Sequence, residues 1–186
     1  MIEEIFCLKT TSINKLEAIC KKIASNIITS LKTNSVDLNK DSFNILLEGN
    51  LGSGKTTLTQ NIIKYLGYQK PVSSPTFTIM KEYQFNDLIV HHFDLYRNSN
   101  DEPNYDLIDY MSFGINFIEW PLNCSQILPK NYILIEISTN LDNENRIFSF
   151  STNNSFYKIF LKNLKGDLNE ISDWLLNIVI IFRFIW

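Results

Sequence analysis

The sequence predicts an α/β fold with a mostly parallel central sheet. Short apolar runs at 43–48, 88–93, 115–119 and 132–137 are separated by helical or loop material. The first of them leads directly into a glycine-rich turn and then a helix. Strands that alternate with helices form parallel sheets with right-handed crossovers. A chain of 186 residues, 45% hydrophobic and 13% aromatic, can bury one substantial core and is too apolar to be disordered.

Residues 4–8 (Glu-Ile-Phe-Cys-Leu) read as a short first strand. Thr11 or Ser12 then supplies an N-cap to an amphipathic helix. Its apolar positions Ile13, Leu16, Ile19, Ile23, Ile27 and Leu31 recur every three or four residues, so one face is core. Residues 33–40 are polar and read as a loop. Phe43 to Glu48 has little polar alternation, as in a strand covered on both faces. Lys55 to Leu66 continues as a helix that Gly67 can end. A further apolar stretch lies at 76–80, and the last three runs read as central strands.

Composition excludes several classes. Seventeen Lys and Arg against 20 Asp and Glu give a net charge of −3, which argues against free-standing, charge-driven nucleic-acid binding. Cys7, Cys20 and Cys124 are scattered and form no ligand cluster with the two histidines, His91 and His92. Neither a disulfide framework nor a zinc site is supported, and reduced thiols in a cytoplasmic protein are expected. Met1-Ile2-Glu3-Glu4 lacks the basic start and apolar run of a secretory signal. The apolar stretch 174–186 carries Asn177 and Arg183 and falls short of the about 20 residues a membrane span needs. It reads as a packed or partner-facing tail, with no membrane role.

Gly49-Asn-Leu-Gly-Ser-Gly-Lys-Thr56 fits the phosphate-loop pattern G-x-x-x-x-G-K-[ST] between a strand and a helix. Glycines let the backbone approach a phosphate, and the amides then line an anion site at the helix start. Nucleotide binding is therefore expected along Gly49, Asn50, Leu51, Gly52, Ser53, Gly54, Lys55, Thr56 and Thr57. Lys55 would reach the β- and γ-phosphates, and the Thr56 hydroxyl would ligate Mg²⁺. Such a site also needs an acid at a strand end. Asp94, Glu119 and Glu136 qualify, and Asp94 and Glu119 rank first because each ends its strand. His91 and His92 are adjacent on a strand, point to opposite faces and read as structural.

Further signatures follow in order: Ser74-Pro-Thr-Phe-Thr78, Glu82-Tyr83, His92-Phe-Asp-Leu-Tyr-Arg97, Ile118-Glu-Trp-Pro121 and Leu128-Pro129. Together with the glycine loop, over about 49–137, they resemble the TsaE (formerly YjeE) family. Its members are small bacterial ATPases that support synthesis of threonylcarbamoyladenosine in tRNA. The resemblance implies a three-layer P-loop NTPase fold that binds ATP and Mg²⁺. Thr56 and Glu119 would hold the metal, Asp94 would sit near the γ-phosphate and order the metal shell or the attacking water, and Ser74-Pro75-Thr76 would form a switch-like segment, placing Thr76 with the catalytic groups. Trp120 would pack at a partner surface, and Thr11 would lie at the adenine side of the pocket. The implied partners are the TsaB and TsaD proteins, whose heterodimer carries out the transfer to tRNA. Asn50 stands where members usually carry Asp, and the segment after Arg97 is shorter than usual. No family pattern extends past about residue 150, which divides the chain into a P-loop ATPase domain, 1–150, and a C-terminal extension, 151–186.

Two other chemistries fit less well. A small-molecule kinase needs a lid with clustered arginines, which the sequence lacks. A GTPase carries Asn-Lys-x-Asp late in the chain, whereas Asn14-Lys-Leu-Glu17 precedes the glycine loop.

Overall fold

The computed structural model describes residues 2–10, 13–33, 37–139 and 145–175. The predicted N-cap at Thr11 or Ser12 and the apolar tail from residue 176 lie outside them. Four strands, β2 (Ser42–Glu48), β4 (Leu88–Asp94), β5 (Gly114–Glu119) and β6 (Ile133–Thr139), coincide with the four apolar runs. They lie side by side in the order β6-β2-β5-β4, all parallel. Helix α1 (Ile13–Thr33) joins β1 (Glu3–Thr10) to β2, and α2 (Lys55–Leu66) follows β2 through the glycine loop. Gly67 ends α2 in the left-handed conformation, φ 119°, and its N–H bonds back to the last turn.

The flanks of the sheet are antiparallel. β3 (Met80–Phe85) joins β4 through Asn86 and Asp87, both at positive φ (47° and 63°). Two such residues make the tight turn that matches strand twist, so the connection is a hairpin. The apolar stretch 76–80 is therefore a turn up to Ile79, and the strand begins at Met80. On the other side β7 (Arg146–Thr152) inserts antiparallel between β6 and β1. The whole sheet runs β1-β7-β6-β2-β5-β4-β3 and is mixed, with three parallel and three antiparallel pairings.

The sequence-drawn boundary at residue 150 falls inside β7, and the following α4 (Ser155–Leu175) shares the main core. Asn154 caps α4, its Oδ1 accepting the N–H groups of Phe156 and Tyr157 at 2.8 and 3.3 Å. Tyr157, Phe160, Leu161, Leu164 and Leu168 are buried at helical spacing. Phe43 of β2 meets the rings of Phe156, Tyr157 and Phe160. The Tyr157 hydroxyl also accepts the Asn44 N–H of the central strand at 2.9 Å. Residues 146–169 are thus part of the sheet and its covering layer.

Two cores flank the sheet. The larger packs α1, α2 and α4 on one face. The smaller sets Leu46, Phe93 and Ile118 against α3 (Leu107–Met111) and the 3-10 segment Pro121–Ile127. Cys7, Cys20 and Cys124 are buried free thiols. Burial pushes Cys20 up to about 12. Among the described residues, no helix is long and apolar enough to cross a membrane.

Candidate functional site

Parallel strands end together, so β2, β5 and β4 deliver their last residues to one edge. Glu48, Glu119 and Asp94 occupy those ends, with Asp94 in register beside Glu119. The glycine loop leaves β2 at the same edge. Gly49 has φ 146°, and a Cβ there would stand 2.4 Å from the Ile137 carbonyl oxygen, so only glycine lets the loop pass β6. Gly54 sits at φ 104° before α2 with no side-chain cap, which leaves the first amides of the helix free for an anion.

Lys55 is the first residue of α2 and is buried at 4% exposure. Its ammonium donates to the Gly49 and Asn50 carbonyls at 2.6 and 3.1 Å, and lies 3.6 Å from the centroid of the Trp120 ring. Burial lowers its pKa, while the charges of Glu119, Glu48 and Asp94 pull the other way. The Thr56 hydroxyl donates to Glu119 Oε2 at 2.9 Å. Thr76 donates to Asp94 Oδ2 at 2.7 Å, and Ser74 lies 2.6 Å from the Thr76 hydroxyl. Asp94 Oδ1 accepts the Tyr96 N–H at 3.1 Å.

Lys55, Thr56, Thr76, Asp94, Glu119 and Trp120 share one cleft of about 290 Å³. Leu51, Gly52, Gly54, Lys55, Thr56 and Thr57 form its loop side, with Thr76, Asp94 and Glu119 opposite. Ser53 is buried beneath the loop and Gly49 lies at its base. Two non-glycine residues hold left-handed conformations next to these groups in sequence, Ile79 at φ 65° and Trp120, which lines the cleft, at φ 58°. Ile79 ends the Ser74–Thr78 segment and Trp120 follows Glu119. Such strain persists where surrounding structure enforces it and concentrates at functional sites.

Of the sequence-selected residues, Thr11 lies outside the described residues. Glu136 is exposed, away from the cleft. Trp120, expected at a partner surface, is half-buried over Lys55. His91 and His92 do face opposite ways, but only His91 is confined to the scaffold. His92 donates from Nε2 to Glu119 Oε1 at 2.7 Å. Sequence reasoning also passed over Arg146, whose Nε donates to the Ser53 carbonyl of the loop at 3.1 Å. That residue comes from β7, and no local motif marks it.

A family profile described as "Threonylcarbamoyl adenosine biosynthesis protein TsaE" matches residues 12–148. Among curated proteins named tRNA threonylcarbamoyladenosine biosynthesis protein TsaE, that of Bacillus subtilis is 35% identical over 113 residues, 60% of this chain and 72% of its own. The Rickettsia conorii protein of the same name is 33% identical over 136 residues, covering 72% of this chain and 73% of its own. The crystal structure of Bacillus subtilis YdiB superposes with a TM-score of 0.67 at 26% identity, over 89% of this chain and 97% of that one. The profile spans most of the chain and takes in the glycine loop, Thr76, Asp94 and Glu119, so the chain belongs to the TsaE family of tRNA threonylcarbamoyladenosine biosynthesis proteins.

Proposed function

We propose that this chain is a P-loop NTPase that binds ATP with Mg²⁺ at residues 49–57 and hydrolyses it. In this reading it supports a TsaB–TsaD pair forming threonylcarbamoyladenosine in tRNA, in the cytoplasm, and meets tRNA only through that complex. The observation that carries the reading is the convergence of Thr56 Oγ1 and Glu119 Oε2, 2.9 Å apart, beside the uncapped start of α2.

The donor set suits Mg²⁺. A hydroxyl and a carboxylate are hard oxygen ligands that leave coordination positions for water and phosphate oxygens. Thr56 and Glu119 would hold the ion, which when bound neutralises charge on the β- and γ-phosphates. The chain's own residues account for the rest. Loop amides cradle the phosphates, and Lys55 exchanges the Gly49 and Asn50 carbonyls for phosphate oxygens. Arg146 supports the loop from below through Ser53.

Asp94 has one oxygen fixed by the Tyr96 N–H and the other by Thr76. It is placed to orient a water that attacks the γ-phosphorus, while the bond to the ADP oxygen breaks to give ADP and phosphate. Thr76 links that carboxylate to the Ser74-Pro75-Thr76 turn, so a change at the γ-phosphate is felt by the turn. The test is ATP hydrolysis by the purified protein, alone and with TsaB and TsaD. A slow basal rate that changes with the pair supports the reading. A rate indifferent to the pair removes the partnership and leaves an ATPase. No hydrolysis in either condition removes the enzymatic reading.

A further inference from the structure

We infer that His92 is a positioning residue for Glu119, holding its carboxylate so that one oxygen is anchored inside the protein and the other is presented at the cleft. The inference rests on Glu119 being the metal acid proposed above. Strand alternation puts His92 on the same face of β4 as Asp94, and the register sets it beside Phe117, two residues before Glu119 on β5. The imidazole is completely buried. Its Nε2–H donates to Glu119 Oε1 at 2.7 Å, while Oε2 accepts the Thr56 hydroxyl at 2.9 Å. The two oxygens are therefore divided between the interior and the cleft.

Packing alone does not account for a histidine here. Its Nδ1 is buried with no hydrogen-bond partner among the described residues. An unsatisfied buried polar atom costs stability that a leucine of similar volume would not. His91, the next residue along the strand, provides the internal control. Each of its nitrogens has a polar partner at hydrogen-bond distance, Asn116 Oδ1 2.8 Å from Nδ1 and Glu82 Oε2 3.2 Å from Nε2.

Glu119 has its own need for an anchor. It shares the strand-end edge with two other acids, Glu48 and Asp94, and a free glutamate side chain samples many rotamers. A short hydrogen bond from a fixed imidazole removes that freedom. Carboxylates that bind metals are commonly held this way, and loss of the supporting partner typically lowers metal affinity 10–100-fold.

The test is equilibrium binding of ATP to the intact chain, titrated with Mg²⁺ and repeated in EDTA. Parent, Glu119→Gln, His92→Leu and His92→Gln are compared, with thermal melts to establish folding. Gln keeps an N–H donor near the Nε2 position, and Leu removes it at similar volume. Glu119→Gln and His92→Leu are each expected to raise the Mg²⁺ concentration at half-effect by about tenfold or more. His92→Gln recovers most of that loss, and affinity in EDTA stays near the parental value for both His92 variants.

A folded His92→Leu with parental Mg²⁺ dependence, or a His92→Gln as impaired as His92→Leu, overturns the positioning role. If Glu119→Gln itself leaves the Mg²⁺ dependence intact, the metal-acid reading fails first and this inference fails with it. Should His92→Leu not fold, ¹⁵N-histidine spectra of the parent decide the matter. The His92 Nε2–H resonance is expected to move with ATP and Mg²⁺ but not with ATP in EDTA, and an unmoved resonance overturns the role.

Discussion

The strands β4, β5 and β2 carry buried polar residues in two places, near where they begin and where they end. Near the beginning, His91, Asn116 and Asn44 form a ladder across the sheet. His91 bonds Asn116, and Asn116 Nδ2 donates to Asn44 Oδ1 at 2.8 Å and to the Met111 carbonyl at 2.9 Å. Asn44 Nδ2 goes on to Ser42 and the Asn131 carbonyl. At the other end, Glu48, Glu119 and Asp94 converge around the Lys55 ammonium, and Glu48 Oε2, Ser53 Oγ and His92 Nδ1 have no hydrogen-bond partner among the described residues. Each polar side-chain atom of the ladder has a partner within the fold. The strand-end cluster sets three carboxylates around the Lys55 ammonium and keeps unfilled hydrogen-bonding capacity, as the proposed ligand site requires. Between these two clusters, burial of polar groups does not tell one from the other, whereas their satisfaction does.

The largest expected effect falls on the ladder. Asn116→Leu keeps the volume but strands His91 Nδ1, Asn44 Oδ1 and the Met111 carbonyl. Urea unfolding should show a loss of about 2–4 kcal/mol, with ATP affinity retained in the folded protein. A change below about 0.5 kcal/mol would mean that the ladder does not secure the sheet. At the other end the balance reverses. Glu119→Gln removes one of three clustered acids, so thermal stability should hold or rise by up to about 1 kcal/mol while Mg²⁺-dependent turnover falls at least about tenfold. Turnover that survives would move the metal acid to Asp94.

The smallest effect comes from the helix that closes the ladder's end of β2. Tyr157→Phe removes the acceptor for the Asn44 N–H and should cost about 1 kcal/mol. It also carries a pH signature. Burial pushes the Tyr157 phenol from 10.0 up to about 12, so the folded state favours the protonated form. That stability is fully present below pH 10 and is lost as pH climbs towards 12. The gap between parent and variant should therefore shrink across this window. Cys20 titrates in an overlapping range in both proteins, so its contribution cancels in the comparison.

The strand-end cluster was far more legible in the sequence than the flanks. The glycine loop and the two acids that close apolar runs follow local rules of turn, helix start and strand end, and each can be read without its neighbours. β3 was missed because Met80-Lys-Glu-Tyr-Gln-Phe85 is short and polar, although Asn86-Asp87 between it and the next run marks a hairpin. The sequence reading has no strand at β7 and places α4 in an extension, yet Phe148 and Phe150 are followed by Ser149 and Ser151, and Asn154 precedes an apolar stripe at helical spacing. His92 and Arg146 could not have been found this way. Their roles depend on which strands become neighbours, and the pairing of β4 with β5 and the place of β7 are set by the whole core.

The central claim is that the strand-end cluster is a nucleotide site. Calorimetric titration of the intact protein and of Lys55→Ala with ATP and Mg²⁺ tests it most directly. One binding event, weakened by about tenfold or more when the Lys55 ammonium is removed, is the predicted result. Equal affinity in parent and variant, or no binding by the folded parent, would contradict it.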